Sequence, residues 1–314
     1  MTTDLSLPVL SGARLFAGDR AEVAALRAAA ERHGFFYLAD HGVDPALIAA
    51  VFAQSARFFA LPDAEKQAVH LRRVAHALGW EPLRAQTLEQ GSAPDLKEGF
   101  YVGPDVAPDD PAVLAGRFGV GPNQWPADLP AFRATMTAYF AAARALGGQV
   151  MRALAPALGL PADYFAAFND DPACRLRLLH YPPQPANPDP GEKGCGAHTD
   201  FGSITLLLQD DAGGLQVQDV ETGVWIDAPP IAGTFVVNLG DLIARWTNHR
   251  FRSNPHRVIN RSGRERYSVP FFFTGNRDYV VECLPTCLGP GEVPKYPPIT
   301  TEAHLAERYA ATYG

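Results

Sequence analysis

The stretch that decides the fold is His198-Thr199-Asp200, followed by FGSITLL over residues 201–207. Residues 203–208 combine β-branched and aliphatic side chains, which indicates a β-strand. On extended backbone, residues two positions apart point to the same face, so the side chains of His198 and Asp200 are expected to lie together. An imidazole and a carboxylate on one face can hold a metal ion, although a chain of this composition also acquires such a pair by chance.

A third candidate ligand gives the pair more weight. His256 lies 56 residues after Asp200, within SNPHRV at residues 253–258. Two histidines and one carboxylate on one side of a metal leave its other positions open, which is typical of non-haem Fe(II) oxygenases. The open positions leave room for a 2-oxo acid and for dioxygen.

Arg266 and Ser268 form a second polar pair, on a strand that is otherwise apolar (VPFFF, residues 269–273). An arginine on the inner face of a barrel needs an anionic partner, because burying an unpaired guanidinium is costly. A planar carboxylate matches the guanidinium fork best. We therefore expect Arg266 and Ser268 to hold the far carboxylate of 2-oxoglutarate, whose keto-acid end chelates the metal.

Short β-type segments dominate the second half of the chain. Turn residues such as Gly213-Gly214 and Gly263 separate them. Short strands at regular spacing indicate a β-sandwich or barrel, jelly rolls included. The predicted strands are 175–181, 203–208, 215–217, 224–226, 234–238, 243–246, 257–259, 267–273 and 279–282.

The first half of the chain is predicted to be mainly helical. Asp44-Pro45 is a helix-start signal, and residues 35–38 form a short aromatic run typical of a strand. Residues 82–130 are rich in proline and glycine and are expected to be irregular. A long amphipathic helix is predicted from about Pro130 to Leu158.

These motifs together resemble the isopenicillin N synthase-like Fe(II)/2-oxoglutarate dioxygenases. They occur in the family's order and span about residues 7–282. The matching segments are GFFYL (34–38), HGV (41–43), FFALP (58–62), Lys97-Glu98, GPNQWP (121–126), residues 198–207, Asn238-Leu239-Gly240-Asp241, Thr247-Asn248, Pro255-His256-Arg257-Val258 and Arg266-x-Ser268.

The resemblance implies an α+β fold with a double-stranded β-helix (jelly-roll) core, an α-helical N-terminal region and a long supporting helix. It implies that iron is held by His198, Asp200 and His256. It also implies that 2-oxoglutarate is held by Arg266, Ser268 and Tyr181. Many plant members carry asparagine two residues before that tyrosine, whereas this chain has Leu179.

Four parts of the chain follow from the same resemblance. Residues 1–120 are expected to form a helical N-terminal dioxygenase region with one or two strands that join the core. Residues 121–174 hold the supporting helix and a linker. Residues 175–283 form the jelly-roll core, and residues 284–314 a C-terminal extension with a short helix.

Phe272 is the candidate for the substrate pocket. It lies four residues after Ser268 and shares its face, unless Pro270 introduces a bulge. On that face it forms either a wall of the pocket or part of the core.

Four other polar residues near the motifs have simpler interpretations. His180 is expected to be structural and Cys195 to be a small buried thiol. Arg257 should point away from the metal and pair with an acid on the barrel exterior. Asp241 either supports a ligand histidine or is a turn residue.

Composition excludes several classes of protein. The 314 residues are 47% hydrophobic and 19% charged, with a net charge of −7, which excludes disordered proteins and gives no general reason to bind nucleic acid or an anionic membrane. No signal peptide is visible within Met1–Leu10, and four cysteines are too few for a disulfide framework. We therefore expect a cytoplasmic, monomeric protein that acts on a small molecule.

Three functions compete at this point. The first is an Fe(II)/2-oxoglutarate oxygenase that performs hydroxylation, desaturation or ring chemistry on a small organic substrate and releases succinate and CO2. The second is an isopenicillin N synthase-type oxidase, in which Arg266 and Ser268 bind a carboxylate of the substrate and no 2-oxoglutarate is used. The third is a non-catalytic metal-binding β-barrel.

Overall fold

The computed structural model describes residues 6–117, 119–184 and 191–313. Residues 1–5 of the stretch examined for a signal peptide lie outside this part. The helices are α1 (Gly12–Phe16), α2 (Arg20–Arg32), α3 (Pro45–Phe59), α4 (Asp63–Gln67), α5 (Pro111–Leu114), α6 (Pro130–Ala157), α7 (Ala166–Asn169), α8 (Asp241–Trp246) and α9 (Thr301–Tyr313).

The strands of the described chain form two facing sheets and a separate pair of two short strands. They are β1 (Val9–Ser11), β2 (Phe35–Ala39), β3 (Gly79–Glu81), β4 (Glu98–Val102), β5 (Ala173–Tyr181), β6 (Cys195–His198), β7 (Ile204–Gln209), β8 (Leu215–Gln218), β9 (Trp225–Asp227), β10 (Phe235–Leu239), β11 (His256–Val258), β12 (Arg266–Gly275), β13 (Val280–Val281) and β14 (Ile299–Thr300).

The larger sheet has the strand order β1-β2-β10-β7-β12-β5-β4-β3, and the smaller has the order β6-β11-β8-β9. All neighbours are antiparallel except β1 and β2. The inner faces of the two sheets share an apolar cluster that includes Phe35, Val236, Leu179, Val217 and Val258. Two facing sheets with helices outside the larger one confirm the predicted α+β class.

The outer face of the larger sheet packs on the long helix. In α6, Phe132, Met136, Ala143 and Val150 are fully buried at helical spacing. Each large apolar side chain buried in this way stabilises the fold by about 1.5–3 kcal/mol. Gly159 ends this region with a φ of +73°, a conformation that glycine adopts without strain.

The segment after Gly240 differs from the sequence-based prediction. Residues 243–246, predicted as a strand, lie in helix α8, where Leu242, Ile243 and Trp246 are buried on one side. A four-residue run with three apolar side chains fits either element. The turn at Gly240, where the N–H of Asp241 donates to the carbonyl of Asp200, places it in a helix.

The N-terminal region contributes four strands, β1 to β4, where one or two were expected. They lie at both edges of the larger sheet. There they pair with backbone hydrogen-bonding groups of the core strands that would otherwise be left unpaired. Residues 280–281 of the predicted segment 279–282 pair with β14 in a separate two-stranded sheet. In the described part of the chain no helix is long and apolar enough to cross a membrane.

Candidate active site

The structure brings His198, Asp200 and His256 together on the smaller sheet. Strands β6 and β11 are neighbours, and their register pairs His256 directly with His198. The Nε2 atoms of the two histidines each lie 3.8 Å from Oδ1 of Asp200. One ligand atom from each residue fits within 4.8 Å of the others, which is compatible with a single metal ion.

The carboxylate of Asp200 is oriented by the larger sheet. Its Oδ2 accepts hydrogen bonds from the hydroxyl of Thr205 at 2.6 Å and from the amide of Asn238 at 2.7 Å. Thr205 and Asn238 are paired residues on β7 and β10, so one rung of the sheet holds the oxygen. Oδ1 is therefore left facing the two imidazoles.

The imidazoles are held in a form that can bind a metal. Nδ1 of His198 donates to the carbonyl of Gly196 at 2.8 Å, which leaves Nε2 with its lone pair toward Asp200. Burial lowers the pKa of His198, and burial together with the neighbouring His198 lowers the pKa of His256 to about 4. Both rings are thus neutral near pH 7.

Burial by itself raises the pKa of the Asp200 carboxyl. The adjacent His256 and His198, followed by the hydrogen bonds from Thr205 and Asn238, outweigh burial, so that the net pKa is lowered. Asp200 is consequently ionised beside two neutral imidazoles.

Arg266 is fully buried on β12 and has an incomplete set of partners. Its Nε donates to the carbonyl of Gly213 at 2.6 Å. Within the described residues, Nη1 and Nη2 have no hydrogen-bond partner. Its guanidinium carbon lies 4.6 Å from the centre of the Tyr181 ring, which is its register partner on β5.

Ser268 shares the inner face with Arg266, and Leu179 stands opposite it on β5. Two buried N–H groups and a buried hydroxyl on one face form a cradle of donors. A planar carboxylate supplies the two acceptors that the guanidinium lacks.

A cavity of about 540 Å³ opens beside His198. Phe272 lines it together with His198, Asp200 and Arg175. The pairing of β12 runs without a shift from Ser268 to Phe273 past Pro270 on the β7 side. No bulge interrupts this stretch, so Phe272 keeps the face of Ser268 and forms a cavity wall.

Helix α9 closes another side of this cavity through Leu305 and Tyr309. Its Arg308 donates to Asp241 at 2.8 Å and stacks over Phe201, the residue that follows Asp200. The hydroxyl of Ser253 donates to the same Asp241 carboxylate. Asp241 thus ties together the two segments that carry the histidines, beyond a simple turn role.

Among the other polar residues, one expectation needs correction. Arg257 points away from the metal ligands, but its Nε donates to the amide oxygen of Gln216 and its guanidinium stacks on Trp225, so its partners are an amide and a ring where an acid was expected. Cys195 is a buried thiol, and His180 is held between Glu98 and Glu265.

Three supporting features were not predicted as site components. Thr205 and Asn238 lie within segments that match the family, but nothing in the sequence indicated that they hydrogen-bond the carboxylate of Asp200. The buried pair Lys97 and Asp95 lies behind His198: Asp95 accepts from the N–H of Gly196, and Lys97 reaches the sulfur of Cys195 at 3.6 Å. A charged pair in the middle of an irregular segment was the available signal.

Comparisons with known proteins agree with this geometry. Residues 172–275 match the model of the 2OG-Fe(II) oxygenase superfamily, and residues 7–128 match that of the non-haem dioxygenase in morphine synthesis N-terminal region. The 2-oxoglutarate-Fe(II) type oxidoreductase hxnY of Emericella nidulans is 46% identical over 98% of this chain and 90% of its own. The 2-oxoglutarate-dependent dioxygenase citB of Monascus ruber is also 46% identical, over 92% and 88%.

A similar solved structure is a full-length Neurospora crassa protein in complex with alpha-KG (2-oxoglutarate). It has a TM-score of 0.87 and 35% identity, and the match covers 100% of this chain and 98% of that one. The same protein has also been solved with alpha-KG and thymine. The jelly-roll core expected from the sequence is thereby confirmed. The chain belongs to the 2OG-Fe(II) oxygenase superfamily and is an isopenicillin N synthase-like dioxygenase that depends on Fe(II), 2-oxoglutarate and dioxygen.

Proposed function

We propose that His198, Asp200 and His256 bind the Fe(II), and that Arg266, Ser268 and Tyr181 bind the 2-oxoglutarate. The observation that carries this proposal is a fully buried guanidinium with two nitrogens that lack partners in the described chain, on the same inner surface as three convergent metal-ligating groups. A dianionic oxo acid that extends from the metal site to Arg266 would fill the open metal positions and would supply acceptors for the two guanidinium nitrogens.

The donor set fits iron in this role. Two neutral imidazoles and one ionised carboxylate on one side match the ligand type and charge of an open Fe(II) site. Asp200 contributes Oδ1, since Thr205 and Asn238 occupy Oδ2. These two hydrogen bonds keep the carboxylate from rotating to chelate the ion with both oxygens.

The arginine fits the far carboxylate of 2-oxoglutarate. Nη1 and Nη2 offer two parallel N–H groups, while the Nε bond to Gly213 and the Tyr181 ring keep the guanidinium plane in place. Ser268 adds a hydroxyl on the same face. Because the guanidinium is fully buried, each charge-assisted hydrogen bond contributes on the order of 1.5–3 kcal/mol.

With Fe(II), 2-oxoglutarate and dioxygen bound, the centre supplies an oxidant for a C–H bond while 2-oxoglutarate becomes succinate and CO2. The chain's own residues do the positioning. Phe272 and Leu305 form apolar walls that exclude water and orient the carbon skeleton of a substrate beside His198 and Asp200. We infer a small organic substrate that undergoes hydroxylation, desaturation or ring chemistry.

A single chain carries every residue of this proposed site, which supports a monomeric enzyme. The four cysteines are free thiols, typical of a reducing compartment, and this supports a cytoplasmic location. The acidic net charge of −7 supports the expectation that neither nucleic acid nor an anionic membrane is a partner.

The test of the residue assignment is a pair of binding measurements and a turnover assay. Under anaerobic conditions we expect one Fe(II) and one 2-oxoglutarate per chain, and in air a slow release of succinate that a panel of small organic molecules stimulates. Loss of 2-oxoglutarate binding without loss of iron is expected for Arg266→Ala. Unchanged 2-oxoglutarate binding in that variant would contradict the proposal.

A further inference from the structure

Strand β6, which carries His198, contains a β-bulge immediately before this residue. The register pairs His198 with His256 and Cys195 with Val258, so that three steps along β6 correspond to two steps along β11. An extra residue of this kind disrupts the hydrogen-bond ladder between the two strands. β6 is also the end strand of the smaller sheet. The orientation of His198 therefore depends on groups outside the sheet that hold the bulge.

An irregular loop, residues 86–95, supplies two carboxylates to consecutive N–H groups of the bulge. Asp95 accepts from the N–H of Gly196 at 2.8 Å, and Glu89 accepts from the N–H of Ala197 at 2.9 Å. These two bonds replace the strand partners that a regular ladder would provide. The loop thus fixes the backbone that leads into His198.

Each of the two carboxylates is paired with a lysine. Nζ of Lys193 donates to Oε2 of Glu89 at 2.7 Å, and Lys97 forms an ion pair with Asp95. Burial by itself raises the pKa of Glu89, but the N–H of Ala197 and then Lys193 outweigh burial, so that the net pKa is lowered. Glu89 is consequently a charged acceptor, and hydrogen bonds to a charged acceptor are stronger than neutral ones.

The loop approaches the bulge closely because residue 196 is glycine. A Cβ atom at this position would lie 2.6 Å from Cβ of Glu89 and 2.8 Å from its backbone nitrogen. Main-chain atoms cannot move aside as the end of a flexible side chain can, so a larger residue would displace the loop. Close packing of Glu89 on Gly196 therefore holds the loop in place together with the hydrogen bonds.

Glu89 and His198 bond the two ends of one peptide group, which consists of the Gly196 carbonyl and the Ala197 N–H. The carbonyl accepts from Nδ1 of His198 at 2.8 Å, and the N–H donates to Glu89. Because the peptide group is planar and rigid, the position of one partner constrains the other. Hydrogen bonds in series also polarise one another, so the charge of Glu89 makes the carbonyl a better acceptor for the imidazole.

We propose that Glu89 is a positioning residue for His198, and that Asp95 supports it on the preceding peptide group. Through the shared peptide, Glu89 fixes the orientation of the imidazole and strengthens its Nε2 as a metal ligand. This inference rests on the proposed function, in which His198 binds the Fe(II). It adds a loop outside the ligand strands to the groups that set the affinity for the metal.

The experiment compares Glu89→Gln, which keeps an oxygen acceptor for the Ala197 N–H, with Glu89→Leu, which has none. The Fe(II) affinity of the full-length enzyme is measured without oxygen by competition with a chelator. We expect Glu89→Leu to weaken Fe(II) binding about tenfold, and Glu89→Gln to fall between Glu89→Leu and the wild type. Wild-type affinity in Glu89→Leu, or equal losses in the two variants, would overturn the proposal.

A spectroscopic measurement separates positioning of His198 from a general loss of structure. The visible absorption bands of the Co(II)-loaded enzyme report the geometry of the metal ligands. We expect these bands to shift in Glu89→Leu and to stay close to those of the wild type in Glu89→Gln. If Glu89→Leu unfolds more easily but its folded form keeps the wild-type bands and metal affinity, the role of Glu89 is structural and the proposal is wrong.

A second pair of variants tests Asp95 without leaving an unpaired buried lysine, which would itself destabilise the fold. Asp95→Leu/Lys97→Met removes the acceptor for the Gly196 N–H, whereas Asp95→Asn/Lys97→Met keeps it. We expect weaker Fe(II) binding in the first double variant than in the second. Equal binding in the two would show that Asp95 does not support the bulge.

The matched control is Glu192→Leu/Arg84→Met. Arg84 and Glu192 form a 2.6 Å ion pair between the same two parts of the chain, while the N–H groups of the bulge bond to Glu89 and Asp95. This double variant should bind Fe(II) as the wild type does. A tenfold loss here would mean that any substitution at this contact weakens the metal, and would contradict a specific role of Glu89.

Failure of the proposed function has a different signature from failure of this inference. If His198→Ala binds Fe(II) as the wild type does, the ligand assignment is wrong. If His198→Ala loses Fe(II) but Glu89→Leu keeps it, the ligand assignment stands and the positioning role is wrong. Glu89 is 35% exposed, so the fold is expected to survive its substitution and both results can be read.

Discussion

Arg266 and Arg177 are both buried on neighbouring strands of the larger sheet, yet the chain treats them differently. Arg177 is paired with Glu81, also bonds Gln86 at 2.9 Å, and stacks on Tyr101. Arg266 has no carboxylate partner in the described chain and uses one of its nitrogens on a carbonyl. A charge that serves the fold is neutralised by the fold, whereas a charge left incomplete indicates a ligand.

The same contrast separates two regions. The metal centre and Arg266, which we call the open region, have ligand positions that a cofactor completes. The Arg177–Glu81 pair and His180 with its two glutamates, the closed region, have their charges matched by protein carboxylates. Substitutions should therefore affect activity in the open region and stability in the closed one.

The largest expected effect is that of Asp200→Ala in the open region. Loss of the one anionic ligand should abolish turnover and most Fe(II) binding, measured as succinate release and by competition with a chelator, without added carboxylate. The fold should survive, with a moderate loss of stability of about 1–3 kcal/mol, since the buried hydroxyl of Thr205 and amide of Asn238 lose their acceptor. Asp227→Ala, at an exposed position on β9, is the matched control and should keep full activity. An active Asp200→Ala enzyme would refute the ligand assignment.

Glu81→Ala tests the closed region. It leaves the buried guanidinium of Arg177 without its carboxylate, which should destabilise the fold by about 3 kcal/mol in urea unfolding. Glu221→Ala removes an exposed partner of Arg252, 3.7 Å away, and should cost less than about 1 kcal/mol. Equal stability of the two variants would contradict the interpretation that the ion pair between Glu81 and Arg177 stabilises the closed region.

Arg266→Ala should have the opposite signature. We expect 2-oxoglutarate affinity to fall about ten- to a hundredfold, at about 1.4 kcal/mol per factor of ten, with Fe(II) affinity nearly unchanged. Arg266→Lys keeps the charge but loses the fork, and should fall between alanine and wild type. Arg264→Ala, at an exposed position two residues before the same strand, should bind as the wild type does. The free energy of unfolding of Arg266→Ala, measured without ligand, should not be lower than that of the wild type. A large decrease would contradict the difference proposed between Arg266 and Arg177.

The smallest effect concerns His180. Burial lowers its pKa, but hydrogen bonds to Glu98 and Glu265 outweigh burial and raise it. A pKa raised on folding contributes stability that is fully present below the ordinary value of 6.5 and is lost as the pH rises through the folded value. Unfolding free energies at pH 6 and pH 9 should differ more for the wild type than for His180→Gln. Equal pH dependence would mean that folding does not raise the pKa of His180.

The sequence predicted the site better than its supports. His198, Asp200 and His256 were recognisable because strand parity and short motifs act over a few residues. Thr205 and Asn238, which hydrogen-bond the Asp200 carboxylate, were not recognisable, since they come together only when β10 pairs with β7. Such pairing depends on the whole sheet and not on local spacing.

The fold shows the same limit. The long helix was predicted within a residue of its ends, because its apolar face repeats over seven turns. Strand β4 was missed in a segment rich in proline and glycine, and β3 was missed just before that segment, since β4 forms by pairing with β5 and β3 by pairing with β4.

The constant register of β12 between Ser268 and Phe273 has a consequence for how this enzyme can change. Arg266, Ser268 and Phe272 all occupy even positions, so the clamp for one reactant and the wall for the other share a single parity. A one-residue deletion between Ser268 and Phe272 would turn the side chains of all strand residues on one side of the deletion to the opposite face of the sheet. If the proposed roles of these residues hold, co-substrate use and substrate choice are inherited as one unit along this strand, and divergence is confined to exchanges of side chains and to changes in the loops beyond its ends.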